Sequence, residues 1–318
     1  MALQHRHRRI VLAGCLLLAA CKPSVGQPPY LVTDDTLLAV LGDPAEAKPG
    51  ANVSYSFLLA SPGGTVSDAN AAWDVCTTPK PPSVSNAVSS ACTETPDPAS
   101  TTPGQAFAAA IPSKACSLFG PIAPQAEAGK PAVRPRDPDS TGGYYVPVRV
   151  SLNASTGELL SGFAFERIQC NLASAPALVI QQYNNEYLPN GAPRIAHADL
   201  VDADGTRLSL DAGPPSVAAG SVQSIEATFA DGSAETFPVY DPSSESLVTQ
   251  QESLHMSWFI TDGTFEHDRT GVAASDIAAS TSNRWTAPAK AGTVFLWLVL
   301  RDSRGGADYK GYQIDVVF

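Results

Sequence analysis

The sequence predicts an all-β protein of two sandwich domains, and three observations predict it. Pro and Gly, 27 and 24 of 318 residues, recur along the whole chain and leave little room for long helices. Several stretches carry apolar residues at every second position, the period of a strand with one buried face. The order of these stretches then repeats, each half running strand, tryptophan, closing hairpin. A hydrophobic fraction of 44% supplies real cores and sets the chain apart from disordered sequences.

In the first half, Val53, Tyr55, Phe57 and Leu59 alternate with Asn52, Ser54, Ser56 and Leu58, after a turn signal at Pro49-Gly50. Trp73 follows in AAWDVC. Tyr144 to Leu152 (YYVPVRVSL), a turn over Asn153 to Gly157, and Gly162 to Gln169 (GFAFERIQ) make the hairpin. In the second half, Val222, Ile225, Ala227 and Phe229 carry the apolar signal of SVQSIEATF, and Trp258 sits in HMSWFITDG. Val294 to Leu300 then turns at 302–306 and returns through Tyr309 to Val317. VPVRVSLNASTG (146–157) matches VFLWLVLRDSRG (294–305) in period and turn glycine, and GFAFERI (162–168) falls on GYQIDVV (311–317).

That order resembles tandem bacterial immunoglobulin-like or PKD-like β-sandwiches, and the match is clearest over residues 254–318. There WFITDGTF and NRWTAPAKAGTVFLWLVLRDSRGG carry W-x-x-x-D-G, a P-x-x-x-G turn, an alternating strand and D-x-x-G-G. The resemblance implies that Trp73 and Trp258 are core aromatics packed between sheets. Trp297 falls between Leu296 and Leu298, so it belongs to the opposite face and is a candidate contact surface. The expected domains are residues 30–175 and 193–318, joined by 176–192, in which Ala177 to Tyr183 could add a strand. The first domain carries an insertion at about 77–143, where 12 of the 27 prolines gather. One strand is expected in it, Gln105 to Ile111. A loop this long in a compact domain is functional or mobile.

Residues 1–20 read as an export signal: a basic head (His5, Arg6, His7, Arg8, Arg9), the apolar run Ile10 to Ala20, then Cys21. The run is too short for a spanning helix, which needs ~20 residues. Leu18-Ala19-Ala20-Cys21 resembles the bacterial lipobox. The resemblance implies cleavage before Cys21, a diacylglyceryl group on its sulfur and an acyl chain on its amine. Lys22 rather than Asp follows, which by analogy with enteric bacteria points to the outer membrane. Residues 21–29 are then a short tether.

Without the leader, three of the 20 basic residues are lost and all 31 acidic ones remain, so the formal charge is 17 − 31 = −14. That balance excludes nucleic acid as a partner and direct docking on anionic lipid. Of six cysteines, Cys15 lies in the leader and Cys21 is the anchor, leaving Cys76, Cys92, Cys116 and Cys170. Four cysteines in one half of an exported chain suggest two disulfides in one of three pairings, with zinc as the alternative. The short local loop favours Cys76–Cys92 with Cys116–Cys170, and the lack of CxxC counts against zinc.

There is no GxSxG, HExxH or phosphate loop. Glu266-His267-Asp268 would not converge on a strand, since neighbours point to opposite faces. Asp199, Asp202 and Asp204 form a weak calcium candidate, against which Asp-Gly is good turn chemistry. The reading is a non-enzymatic, cofactor-free lipoprotein in binding, adhesion or assembly, held to the envelope through Cys21 and facing an unknown protein or glycan. The alternatives are a carbohydrate- or protein-binding accessory module, or an unrecognised hydrolase. Globomycin, or Cys21→Ala, is expected to block maturation. Normal cleavage and a water-soluble product from the Cys21→Ala variant would overturn the anchor.

Overall fold

The computed structural model describes residues 26–80, 88–93, 102–103, 106–121, 123, 125–126, 128–130, 134, 140–172, 174–276 and 278–318. The leader, Cys21 and Lys22 lie outside them. The first half contains β1 (Thr36–Asp43), β2 (Glu46–Ala47), β3 (Asn52–Ser61), β4 (Gly64–Val66), β5 (Asn70–Val75), β6 (Thr102–Pro103), β7 (Ala106–Ala110), β8 (Gly143–Asn153) and β9 (Leu159–Gln169). The second contains β10 (Ile195–Val201), β11 (Arg207–Ser209), β12 (Ser216–Ala218), β13 (Val222–Phe229), β14 (Thr236–Asp241), β15 (Ser246–Gln251) and β16 (Leu254–Ile260). It ends with β17 (Thr264–Phe265), β18 (Arg269–Val272), β19 (Ser280–Thr286), β20 (Gly292–Asp302) and β21 (Ala307–Val317). Two short helices are α1 (Ala115–Phe119) and α2 (Ala177–Glu186).

One sheet has the same strand order in both halves, and the two-stranded sheet β14-β15 is an addition of the second. One sheet runs β2-β9-β8-β5-β6 and its counterpart runs β12-β21-β20-β16-β18. Each has a parallel edge strand (Glu46 opposite Arg167, Ser216 opposite Asp315), then the closing hairpin, then the strand with the central tryptophan. The opposing sheets are β1-β3-β4, with β7 also on β3, and β11-β10-β13-β19-β17. In each half the chain therefore pairs first in one sheet (β1, β10) and then at the edge of the other (β2, β12). This is an immunoglobulin-like sandwich built twice.

Between the first pair of sheets lie Tyr55, Tyr144, Val146, Val148 and Ile168, all buried. Trp73 is half-buried and stacks on Phe107 at 5.6 Å, with Phe57 at 6.0 Å. The second core holds Ile225, Met256, Trp258, Trp285, Leu296 and Leu298. Trp258 satisfies its indole by donating from Nε1 to Thr270 Oγ1 at 3.0 Å. The frame of β13 differs from expectation at its start: Gln223 is buried and Val222 exposed. Gln223 keeps the period of two with Ile225, Ala227 and Phe229, so the sheet face decides over side-chain polarity.

Two expectations are corrected. Ala177 to Tyr183 is the first part of helix α2, not a strand. Pro176 stands at its N-cap with extended ψ, and Tyr183 stacks on Tyr187 at 4.7 Å, one helical turn on. Tyr30, assigned by sequence to the first domain, packs in the second core, edge-on to Phe265 at 5.5 Å. Its arm bridges β16: Val32 N donates to Ile260 O and Ile260 N to Tyr30 O, both at 2.8 Å.

The two sandwiches are stacked. Leu38, Leu58 and Ala60, on the outer face of the β1-β3 sheet, form one buried cluster with Trp297 and Val299 on the outer face of β20. Trp297 is thus on the outer face, as its register implies, but it is 1% exposed. Its Nε1 donates to Thr65 Oγ1 at 2.8 Å, and Arg301 Nη2 donates to Leu38 O at 3.2 Å across the same junction. The surface it contacts is the other half of the chain.

The structure bonds Cys76 to Cys92 and Cys116 to Cys170, with Cα–Cα distances of 5.6 and 5.7 Å. In the insertion, β7 falls within the expected strand, Gln105 itself lying outside the described residues. Trp297→Ala is expected to cost about 3–5 kcal/mol, since it empties the junction and leaves Thr65 without its donor. A melt that separates into two transitions would report the sandwiches uncoupling. An unchanged single transition would show that the stack does not depend on this ring.

Candidate functional site

Most buried charge in the described residues gathers at one end of the junction. Five pieces of chain bring it there: β2 and β9 of the first sandwich, the segment after α2, and the β15–β16 connection and β20–β21 turn of the second. Adjacent residues on β9 point to opposite faces, so Glu166 enters the first core between Ala164 and Ile168 while Arg167 faces out. Arg167 donates to Tyr145 Oη at 3.0 Å and to Thr141 Oγ1 at 2.6 Å, and lies 3.4 Å from Glu46 Oε2. That oxygen also accepts from Tyr187 Oη at 2.6 Å and from Asn190 N at 2.8 Å. Gly143 is required here, because a Cβ would run into the Arg167 guanidinium.

From the second sandwich comes Arg304, in the D-S-R-G-G turn. Its Nε donates to Glu252 Oε1 and its Nη2 to Glu235 Oε2, each at 2.6 Å, and its guanidinium lies 4.6 Å over the Phe237 ring. Asp302 Oδ1 accepts from Arg304 N and Gly306 N at 2.8 Å, which closes the turn, while Oδ2 accepts from Asn190 Nδ2 at 3.1 Å. A Cβ on Gly306 would strike that carboxylate. Tyr187 links both halves, since Arg304 Nη1 donates to its Oη at 3.3 Å. Burial and the nearby Asp302 push the Glu252 carboxyl above the usual range, against the pull of the Glu235 amide and Arg304.

The arrangement is closed. Guanidinium groups meet carboxylates and phenols, and nothing in the cluster pairs a nucleophile with a base beside an open space. Through Tyr187 and Asn190 it can hold two sandwiches in one register.

Glu166 faces the first core instead of the junction. It is 3% exposed, and its Oε1, like Glu46 Oε1, has no partner among the described residues. Burial, then the Glu46 and Asp43 carboxylates, raise its pKa to about 8. Tyr55, facing the same core, is pushed upward by its own burial and by Glu166.

An open cleft of about 560 Å³ lies beside the arm, lined by Pro29, Tyr30, Trp258, Glu266, His267 and Arg269 among others. Residues 266–268 form a bend between β17 and β18, so the strand argument against convergence does not apply. Glu266 Oε1 stands 4.0 Å from His267 Nε2, both side chains more than half exposed. His267 is fixed through its backbone, its N donating to Asn283 Oδ1 at 3.2 Å and its O accepting from Nδ2 at 2.7 Å.

The calcium candidate resolves into a hairpin. Asp199 pairs with Arg207 at 3.1 Å, Asp202 O accepts from Gly205 N at 3.0 Å, and Asp204 Oδ1 accepts from Thr206 N at 2.9 Å. Among the described residues no three His, Cys, Asp or Glu side chains are placed to hold a metal ion. Sequence reasoning missed the buried cluster altogether. The available signal was Glu166-Arg167 in the middle of an apolar strand, where one of two adjacent charges must face the core.

No protein-family model matches the chain, and no curated protein matches it. Among solved structures, the D00-D0 domain of intimin is 10% identical over 87% of this chain and 99% of that one, with a TM-score of 0.22. The tandem Ig repeats of Dlar are 10% identical over 90% and 99%, with a TM-score of 0.21. The N-terminal Ig1-2 module of the Drosophila receptor protein tyrosine phosphatase DLAR is 10% identical over 90% and 100%, with a TM-score of 0.20. At these scores the likeness carries no argument, and the class of the fold rests on the strand pairing.

Glu166 makes stability depend on pH. Unfolded, the carboxyl titrates near its ordinary value of 4.5; folded, burial and the neighbouring carboxylates raise this to about 8. Its contribution is therefore full below pH 4.5 and is lost as pH rises to about 8, with an upper bound of about 5 kcal/mol. Glu166→Gln is expected to raise the melting temperature by several degrees at pH 8 and to change it little at pH 4.5. An equal shift at both values would show that the carboxyl is not held protonated.

Proposed function

We propose that this chain is a non-enzymatic lipoprotein of the bacterial envelope, held in the outer membrane by lipid on Cys21, whose paired sandwiches act in binding, adhesion or assembly. The observation that carries the reading is how the polar interior is used. The buried Arg167, Glu46, Arg304 and Glu252 are spent on one another at the junction, and the open cleft offers two exposed side chains in place of a catalytic set. Two disulfides in the first sandwich suit an oxidising compartment. No helix among the described residues is long and apolar enough to cross a membrane. The reading assigns attachment to Cys21 on the lipobox-like Leu18-Ala19-Ala20-Cys21.

A protein partner fits better than a glycan. Trp258, Trp285 and Trp297 are all buried, and Trp73 is half-buried in the first core, so none of the four offers an open stacking face. Loops at the ends of such sandwiches are where recognition sits.

Two measurements test the reading together. The mature protein should sediment with outer membranes and carry a lipidated Cys21 by mass spectrometry. Crosslinking in intact envelopes should then trap a partner that is lost when the disulfides are reduced. Native protein free in the medium with an unmodified N-terminus would overturn it.

A further inference from the structure

We infer that the end of the stack carrying the Gln27–Thr33 arm faces the lipid surface, so that the second sandwich stands beside the membrane and the insertion-bearing end points away. This rests on the reading that Cys21 is lipidated and concerns which way the anchored protein stands.

The arm is fixed to the second sandwich, although it leads into the first. Leu31 N donates to Pro28 O at 3.0 Å, so the chain turns back on itself with Tyr30 at the tip, buried against Phe265. Thr33 Oγ1 donates to Gln27 Oε1 at 2.9 Å and brings the two legs together. The bridge between Val32 and Ile260 places this foot beside Thr261, whose N donates to Phe295 O at 3.0 Å. Gln27 therefore lies level with Phe295 on β20.

Lengths decide the direction. From Cys21 to Gln27 is 27 − 21 = 6 residues, which span at most about 21 Å when fully extended. From Phe295 to Asp302, where the buried charges begin, is 302 − 295 = 7 residues, about 23 Å of strand. The turn after Asp302 and the segment around Leu188 stand at that level or beyond it. A lipid on Cys21 cannot reach past them with the stack inverted. It reaches a bilayer at the arm end with slack to spare.

Exposed apolar side chains stand at both ends, Leu188 at the far one, so the direction rests on the lengths. Around the arm end stand exposed apolar side chains: Leu159 beside the first hairpin turn, Val222 opposite Thr286, and Val317 with Phe318, the last 96% exposed. Asp34, Asp35 and Asp262 lie among them, so this end faces anionic lipid across a gap and does not insert. At the other end the insertion leaves and rejoins the body: Cys76 N donates to Pro147 O and Tyr240 N to Ser140 O, both at 2.9 Å. A partner approaching from outside the membrane meets that end first.

The test uses mature protein in vesicles of phosphatidylethanolamine and phosphatidylglycerol that contain headgroup-spin-labelled lipid. A fluorophore is placed through Lys290→Cys at the arm end or Leu188→Cys at the other, both exposed sites. Strong quenching at position 290 with little at 188 is the expected result. With Cys21 shown to be lipidated, equal or reversed quenching overturns the orientation alone. An unlipidated Cys21 with no vesicle binding overturns the anchor reading as well. In a Tyr30→Ser background the contrast between sites should shrink. An undiminished contrast would show that the arm does not set the direction.

Discussion

The structure depends on covering two sheet faces that an isolated sandwich would leave wet. β20 is apolar on both sides: Leu296, Leu298 and Leu300 point into the second core, while Trp297 and Val299 point out. An exposed tryptophan flanked by Phe295 and Phe259 would be an aggregation liability. The first sandwich meets it with Leu38, Leu58 and Ala60, and the result is four sheets in sequence. Burying a side chain of this size contributes about 2–3 kcal/mol. The domains accordingly behave as one body where a string of sandwiches would bend at its linker.

Apolar contact sets no register of its own, because a greasy face can slide. The polar bridges between the halves supply register. Tyr187 has to meet Glu46 on one side and Arg304 on the other while Asn190 meets Glu46 and Asp302, so displacement costs these buried charges a partner. Losing a hydrogen bond to a buried charge costs about 1.5–3 kcal/mol. The network is better understood as a constraint on geometry than as a reserve of stability. Its position at the end opposite the arm gives the stack two fixed points, one covalently continuous through the chain and one ionic.

How much of this was legible in the sequence depends on the range of the interaction. The closing hairpins were legible because period and turn glycine are local, and Gly157 and Gly305 do take the positive φ of 87° and 103° that such turns ask for. Trp258 was legible as core from its alternating neighbours. The face of Trp297 could be read, but what covers it could not, since Thr65 lies 232 residues away. A signal was present all the same: VFLWLVL and SFLLA are apolar at nearly every position, the pattern of a strand buried on both sides. Helix α2 was obscured by β-favouring residues in ALVIQQY, and the stacked Tyr183 and Tyr187 that hold it find their partners in other segments. Tyr183 donates to Thr141 O and Tyr187 to Glu46.

The arm illustrates why domain boundaries drawn from sequence mislead in a stacked pair. Tyr30 to Val32 precede β1 directly and were assigned to its sandwich, yet they add two backbone hydrogen bonds and a buried ring to the other. The first sandwich is thereby inserted, in a physical sense, between two pieces of the second. Separating the domains at residues 176–192 would strip Tyr30 from the core it fills and uncover Trp297 at the same stroke. The same insertion gives the chain's N-terminal end a direction, because a tether that hung from a loose strand would transmit none. The pinned arm thus fixes where the chain that precedes Gln27 leaves the stack, at the end opposite the buried charges.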